Sequence, residues 1–255
     1  MSFEPQNALE ASLMKAAGDP AHRPQFCRDL LESQIYLIQP IPAESESDPD
    51  RVRVSQGESI QIGLMEKDGR PYLPIFTSLP RLQAMLSEPA GYIALSAKVF
   101  LEMTAGADLM LNPGSDYGKE ITAAEAASLL DGSIWQPTES FVARKETSVM
   151  LGQPARYPDA LAEALTRFFR TRPQVQRAWL AHYFNPEQDE RPHTLIGIDF
   201  TGDPDALMAE AGVVASGVTV PDPPVDFTRF VDDGGLGQYF KDTEPFYQKR
   251  PFGLS

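Results

Sequence analysis

The stretch VQRAWLAHYFNPEQDERPHTLIGIDF, Val175 to Phe200, decides how the second half of this chain folds. Val175 to Phe184 reads as a strand. So does Thr194 to Phe200, where Ile196, Ile198 and Phe200 share one face by alternation. Asn185-Pro186 and the polar run behind it make the tip of a hairpin. Working outward, Ser148 to Leu151 is a further strand. Pro158 to Phe169 is a helix whose Leu161, Leu165 and Phe168 form one stripe, with Glu163 four residues ahead of Arg167. Asp203 to Ala211 is a second helix, and Val225 to Val231 a last strand. The order βαββαβ implies a ferredoxin-like sheet with both helices on one side. Both helices open alike, PDALAEA at Pro158 and PDALMAEA at Pro204. Proline at the first helical position with an acid behind it suits the sterics and the helix dipole together. A duplicated half and independent selection for capping explain that echo equally well.

The first half has the same α+β character. Asn7 to Ala17 and Pro24 to Ser33 read as helices divided by Gly18-Asp19-Pro20, and Ile35 to Ile38 as a strand. IPAESESDPD, Ile41 to Asp50, is a polar loop. Ile60 to Met65 and Tyr72 to Phe76 flank Lys67-Asp68-Gly69-Arg70, a hairpin signal because a type I′ turn needs positive φ at both central residues. Thr77 or Ser78 caps a helix through Met85. A strand at Tyr92 to Leu95, a helix at Lys98 to Ala105, a strand at Asp108 to Leu111 and a helix at Thr122 to Leu130 follow. Thr122 and Glu125 have capping-box spacing. The expected organisation is therefore two α+β domains, residues 1–130 and 148–255, with residues 131–147 as linker.

Composition limits the function. The 255 residues carry a net charge of −14, with 12 basic against 21 acidic residues up to Glu146 and 10 against 15 from there on. Nonspecific grip on nucleic acid or an anionic membrane depends on basic residues, so neither is an expected partner. No apolar run approaches the ~20 residues that span a bilayer. MSFEPQNALEASL lacks the pattern of a secretory signal. A single cysteine, Cys27, suits a reducing compartment, and cytoplasm is the expected location.

LMLNPGSDYGKEIT, Leu109 to Thr122, has two glycines and a lysine but fails as a phosphate loop. Only three residues lie between Gly114 and Gly118, Glu120 stands where a hydroxyl is needed, and Asp116 repels phosphate. It reads as a turn of fixed shape, and Asn112, Pro113, Gly114 and Ser115 form a candidate binding surface. FTSLPRLQAML (Phe76 to Leu86) followed by LMLNPGS resembles the amino-terminal domain of the enhanced serine sensitivity protein SseB family. LGQPARYPDALAEAL (Leu151 to Leu165), VQRAWLAHY (Val175 to Tyr183) and EPFYQKRPFG (Glu244 to Gly253) resemble that family's carboxy-terminal domain. The resemblance spans nearly the whole chain. It implies a bacterial cytosolic protein whose loss is linked to serine sensitivity, and it brings no catalytic residues with it.

The reactive side chains read as structural. Cys27 falls inside a helix, without the cation or helix N-terminus that activates a thiol. His182 and His193 could approach across the hairpin, yet two imidazoles make a metal site only if a carboxylate such as Asp199 joins them. Ser216 lacks a nucleophile elbow. Glu187, Asp189 and Glu190 crowd a hairpin tip that offers no walls to separate their pKa values. The ending EPFYQKRPF sets Phe246, Tyr247 and Phe252 around Lys249 and Arg250, either as interface anchors or as a tail sealing its own domain. These residues favour a noncatalytic protein, without cofactor or metal, that binds a protein partner or a small metabolite. The candidate surfaces are Asn112 to Ser115 and Phe246, Tyr247, Lys249 and Arg250. An amino-acid sensor using the loop Gly152 to Arg156 is the alternative, and an enzyme acting through Cys27 stands behind both.

Overall fold

The computed structural model describes residues 3–39, 63–88, 90–136, 148–232 and 235–249. It divides into two compact units, Met1–Gly18 with Gln25–Ser133, and Asp19–Pro24 with Ile134–Ser255. Eight α-helices and eleven strands lie among the described residues, so the chain is α+β.

In the first unit α1 (Ala8–Gly18) buries Leu9 and Leu13, and α2 (Arg23–Glu32) buries Phe26, Cys27 and Leu30. β1 (Gln34–Gln39) follows. β2 (Met65–Lys67) and β3 (Arg70–Ile75) form the expected hairpin, with Asp68 at φ 53° and Gly69 at φ 77°. Both central residues are left-handed, as a type I′ turn requires. The expected first residues of that strand, 60–62, and the polar loop at 41–50 lie outside the described residues. Then come α3 (Leu79–Met85), β4 (Gly91–Ser96), α4 (Ala97–Met103), β5 (Leu109–Leu111), β6 (Lys119–Ile121) and α5 (Ala123–Asp131). Thr122 Oγ1 accepts from the Glu125 amide at 3.1 Å, which realises the capping spacing. β3 runs parallel to β5, and β5 antiparallel to β6. β1 pairs antiparallel with β4, and Tyr36 exchanges two 2.9 Å backbone hydrogen bonds with Phe76, beyond the end of β3. β6 was not expected; three residues, two of them charged, give no strand pattern.

In the second unit β7 (Met150–Gly152), α6 (Asp159–Arg170), β8 (Val175–Phe184), β9 (His193–Phe200), α7 (Pro204–Ala215) and β10 (Val225–Arg229) follow the βαββαβ order. A short helix α8 (Leu236–Lys241) and a two-residue strand β11 (Tyr247–Gln248) are added after it. Ala178, Leu180, Ile196, Ile198 and Phe200 pack with Leu161, Leu165, Phe168, Leu207 and Val214, so α6 and α7 do cover one face. Trp179, Ala181, Tyr183 and Leu195 point the other way and meet Phe240 of α8. Each central strand thus splits its side chains by a period of two between two buried faces.

The strands are arranged differently from a ferredoxin-like sheet, which would set β7 between β9 and β10. Here β9 and β10 pair directly and in parallel, and β7 and β11 share the outer edge of β8. At three residues β7 is too short to fill a central place between β9, of eight residues, and β10, of five. The echoed helix starts also diverge. Pro204 is within the first turn of α7, whereas Pro158 precedes α6 as its cap residue.

Gly197 lies in the middle of β9, where the Phe240 ring closes over the sheet. A Cβ there would fall 2.5 Å from Phe240 Cζ, and Phe240 is itself buried. Gly197→Ala is therefore expected to destabilise the unit by at least ~1 kcal/mol through overpacking. Denaturant unfolding followed by Trp179 fluorescence checks this, since Trp179 stacks on Phe240 at 5.7 Å.

Candidate functional site

The turn after β5 folds inward. Asn112 adopts φ 48°, a region that asparagine enters more readily than other non-glycine residues. Its amide is buried and committed: Oδ1 accepts from the Thr77 amide at 2.9 Å, and Nδ2 donates to Thr77 Oγ1 at 2.9 Å. Pro113 is buried as well, which leaves Gly114 and Ser115 as the accessible part of that candidate surface. Lys119, the cation of the rejected phosphate loop, is paired with Glu125 at 2.9 Å.

Beneath this turn lies a carboxylate that sequence reading missed. Glu10 has no exposed surface, yet it accepts from Thr77 Oγ1 at 2.7 Å, Ser78 Oγ at 2.8 Å, the Gln6 amide at 2.9 Å and Arg81 Nη2 at 3.1 Å. Burial alone would raise its pKa, but the bonds from Arg81, Thr77, Gln6 and Ser78 outweigh that and hold the carboxyl below its ordinary value. Arg81 also lies 3.6 Å over the Phe3 ring and donates to the Glu4 carbonyl at 2.6 Å. Ser78 occupies the cap position of α3 without capping it, because its hydroxyl goes to Glu10. One signal was visible: Asn7 and Glu10 have capping spacing, and Asn7 Oδ1 accepts from the Glu10 amide at 2.9 Å.

The carboxy-terminal candidates form a second place. Tyr247 is buried, pairs with Ala178, and donates from its hydroxyl to the Phe169 carbonyl at 3.3 Å. Phe246 packs on Phe169 at 6.4 Å between ring centres. The tail therefore seals its own domain as far as Lys249, while Arg250 and Phe252 lie outside the described residues. Beside it is a hollow of about 660 Å³ lined by Thr166, Arg170, Arg172, Phe246, Gln248 and Lys249 among others. Lys249 Nζ donates to the Pro173 carbonyl at 2.6 Å, and Arg172 holds Glu210 at 2.7 Å. Arg170 is exposed, and its side chain makes no hydrogen bond or ion pair among the described residues.

The other titratable candidates are dispersed. His182 pairs in register with Thr194 and Tyr183 with His193, so the two imidazoles sit on opposite faces of the sheet. Asp199 is held by Arg177 at 2.9 Å. His193 Nε2 lies 2.9 Å from Asp226 and Nδ1 3.9 Å from Asp189. The Asp226 hydrogen bond, against the opposing effect of burial, raises the His193 pKa. Burial and the nearby Asp189 push the Tyr183 hydroxyl up to about 12. Gln153, in the Gly152 to Arg156 loop, donates to the Tyr239 hydroxyl at 2.8 Å. Cys27 is buried in the middle of α2. Among the described residues no three His, Cys, Asp or Glu side chains are placed to hold a metal, and no helix is long and apolar enough to cross a membrane.

Comparison with known proteins agrees across both units. The SseB protein N-terminal domain matches residues 9–128, and the SseB protein C-terminal domain matches residues 143–249. Protein SseB of Escherichia coli K12 is 33% identical over 252 residues, which cover 97% of this chain and 94% of that protein. Protein SseB of Shigella flexneri matches with the same identity and coverage. No solved structure matches.

Proposed function

The chain belongs to the SseB family, with both of its domains present, and on that premise we propose that it is a noncatalytic cytosolic protein that binds through the hollow beside β11. One observation carries this reading: Arg170, Arg172 and Lys249 converge there in a chain of net charge −14. Arg172 is neutralised by Glu210, which leaves Arg170 and Lys249 to select an anionic group, with Phe246 beside them as an apolar surface. A carboxylate of a small metabolite or of an acidic stretch on a protein partner has that chemistry. The noncatalytic part rests on how the reactive groups are held. The Glu10 carboxylate is saturated with donors, His193 sits between two aspartates, and Cys27 is buried in a helix.

The test is charge reversal at the hollow, Arg170→Glu with Lys249→Glu, in cells that lack the wild-type chain. If the link to serine sensitivity runs through this site, the reversed protein should leave cells as serine-sensitive as cells without the protein. Full rescue by a folded, normally abundant reversed protein would sink the reading. A small-metabolite sensor is the second reading, favoured by a volume that falls within the range of small-ligand sites. It predicts a raised Tm on adding serine or a related amino acid, because a ligand that binds only the native state stabilises it. The same reversal should remove that shift. The Gly152 to Arg156 loop is less suited to this role than the hollow, because it leaves an edge strand and its Gln153 is already bonded to Tyr239.

A further inference from the structure

The outer edge of β4 is unpaired among the described residues, since β4 is bonded only to β1. The ladder shows which backbone groups face outward. Tyr36 exchanges both of its bonds with Phe76 on its other side, so its pairing with Ala94 is of the kind that shares none. The N–H and C=O of Ala94 therefore point away from β1, and by alternation those of Tyr92 and Ser96 do so too. The strand reads GYIALS, without the charges or proline that normally keep an edge from pairing. Tyr92 is 48% exposed and lies 6.2 Å from Tyr36 between ring centres. Val99 and Met103, one turn apart on α4, are 47% and 57% exposed. An uncharged, unprotected strand edge of this kind is a ready template for pairing with another chain.

Charge selects the occupant. Copies of a chain with net charge −14 repel each other except where their surfaces are neutral or complementary. Exposed Glu88 precedes the neutral strand and exposed Lys98 follows it, and neither has an ion pair among the described residues. Antiparallel self-pairing brings the start of one strand to the end of the other, so the two unlike flanks meet twice. We propose that two copies of this chain join by antiparallel pairing of β4 with β4 about a two-fold axis, extending the β1–β4 ribbon into a four-stranded sheet.

Sedimentation of the full chain over a concentration series should show a reversible dimer. Ala94→Pro removes an outward N–H while sparing the bonds to β1, and is expected to give a monomer with an unchanged far-ultraviolet spectrum. Because proline can disturb a strand, a second pair of variants acts through charge alone. Glu88→Lys should weaken the dimer by about tenfold, and adding Lys98→Glu should restore it. A wild-type chain that stays monomeric throughout the series overturns the proposal. So does a dimer whose affinity is untouched by both Ala94→Pro and Glu88→Lys.

Discussion

Replacing Glu10 with alanine is expected to lower the stability of the first unit by about 3 kcal/mol, the lower end of the cost of removing one partner from a buried charge pair, because the Arg81 left behind is itself 21% exposed. The carboxylate gathers donors from two separate stretches of chain: Gln6 ahead of its own helix, and residues 77–81, which supply the Thr77 and Ser78 hydroxyls and the Arg81 guanidinium. Without it the buried Ser78 hydroxyl loses its acceptor, while Thr77 keeps only Asn112 Oδ1 and Arg81 only the Glu4 carbonyl. Glu10→Gln should cost less, because an amide oxygen still accepts from Thr77 or Ser78 although the charge opposite Arg81 is gone. The pH dependence has a definite sign. The folded carboxyl titrates below its ordinary value of 4.5, so its contribution is fully present above that value and is lost as pH falls through the folded pKa. Urea unfolding of wild type and Glu10→Gln at a series of pH values should show the gap between them closing on acidification. A gap that stays constant with pH would mean that the charge contributes nothing. Hydrogen exchange at the Thr77 and Asn112 amides localises the effect, since Thr77 links Glu10 to the turn after β5.

That turn shows where sequence reading succeeds and where it stops. Asn112 was recognisable as a bend residue from its neighbours Pro113 and Gly114, and its positive φ is what the bend needs. Its side chain was expected on a binding surface, yet the same bend aims it inward at Thr77, thirty-five residues earlier in the chain. Partners so distant in sequence have no local periodicity to announce them. Strands β8 and β9 were legible almost to the residue because both are long and strongly apolar. β11 was not legible, because two residues become a strand only through the edge of β8 that they happen to meet. The order of strands in the second sheet escaped for a related reason. The succession of elements reveals their kind and sequence, whereas the choice between a central and an edge place for β7 depends on lengths and neighbours that only the folded sheet displays. The acidic Glu10 escaped by composition: on an amphipathic helix an isolated glutamate ordinarily reads as a solvent-facing residue.

Asp226→Asn is expected to destabilise the second unit by about 1.5–3 kcal/mol at acidic pH, the worth of a hydrogen bond to a charged group. His193 is 5% exposed at the start of β9. Its Nε2 faces Asp226 of β10, its Nδ1 faces Asp189 of the hairpin loop, and its ring packs against Tyr183 at 5.3 Å. Asp189 is fixed in turn by the Asn185 amide, which donates to it at 2.6 Å, so one imidazolium ties the hairpin tip to the far strand. The two aspartates favour the charged ring, and the folded pKa is raised above the ordinary 6.5. A raised histidine pKa stabilises fully below the unfolded value and loses that contribution as pH rises through the folded value. The wild-type unit should therefore weaken on going from mildly acidic to alkaline solution, and Asp226→Asn should remove much of that slope. The difference between the two proteins is thus greatest in acid and smallest in alkali, opposite in direction to the Glu10 effect. Trp179, buried in this same sheet, reports the unfolding, and the imidazole proton resonance of His193 gives the titration directly. A His193 that titrates below its ordinary value would show that desolvation prevails over its two carboxylates, and the slope should then reverse.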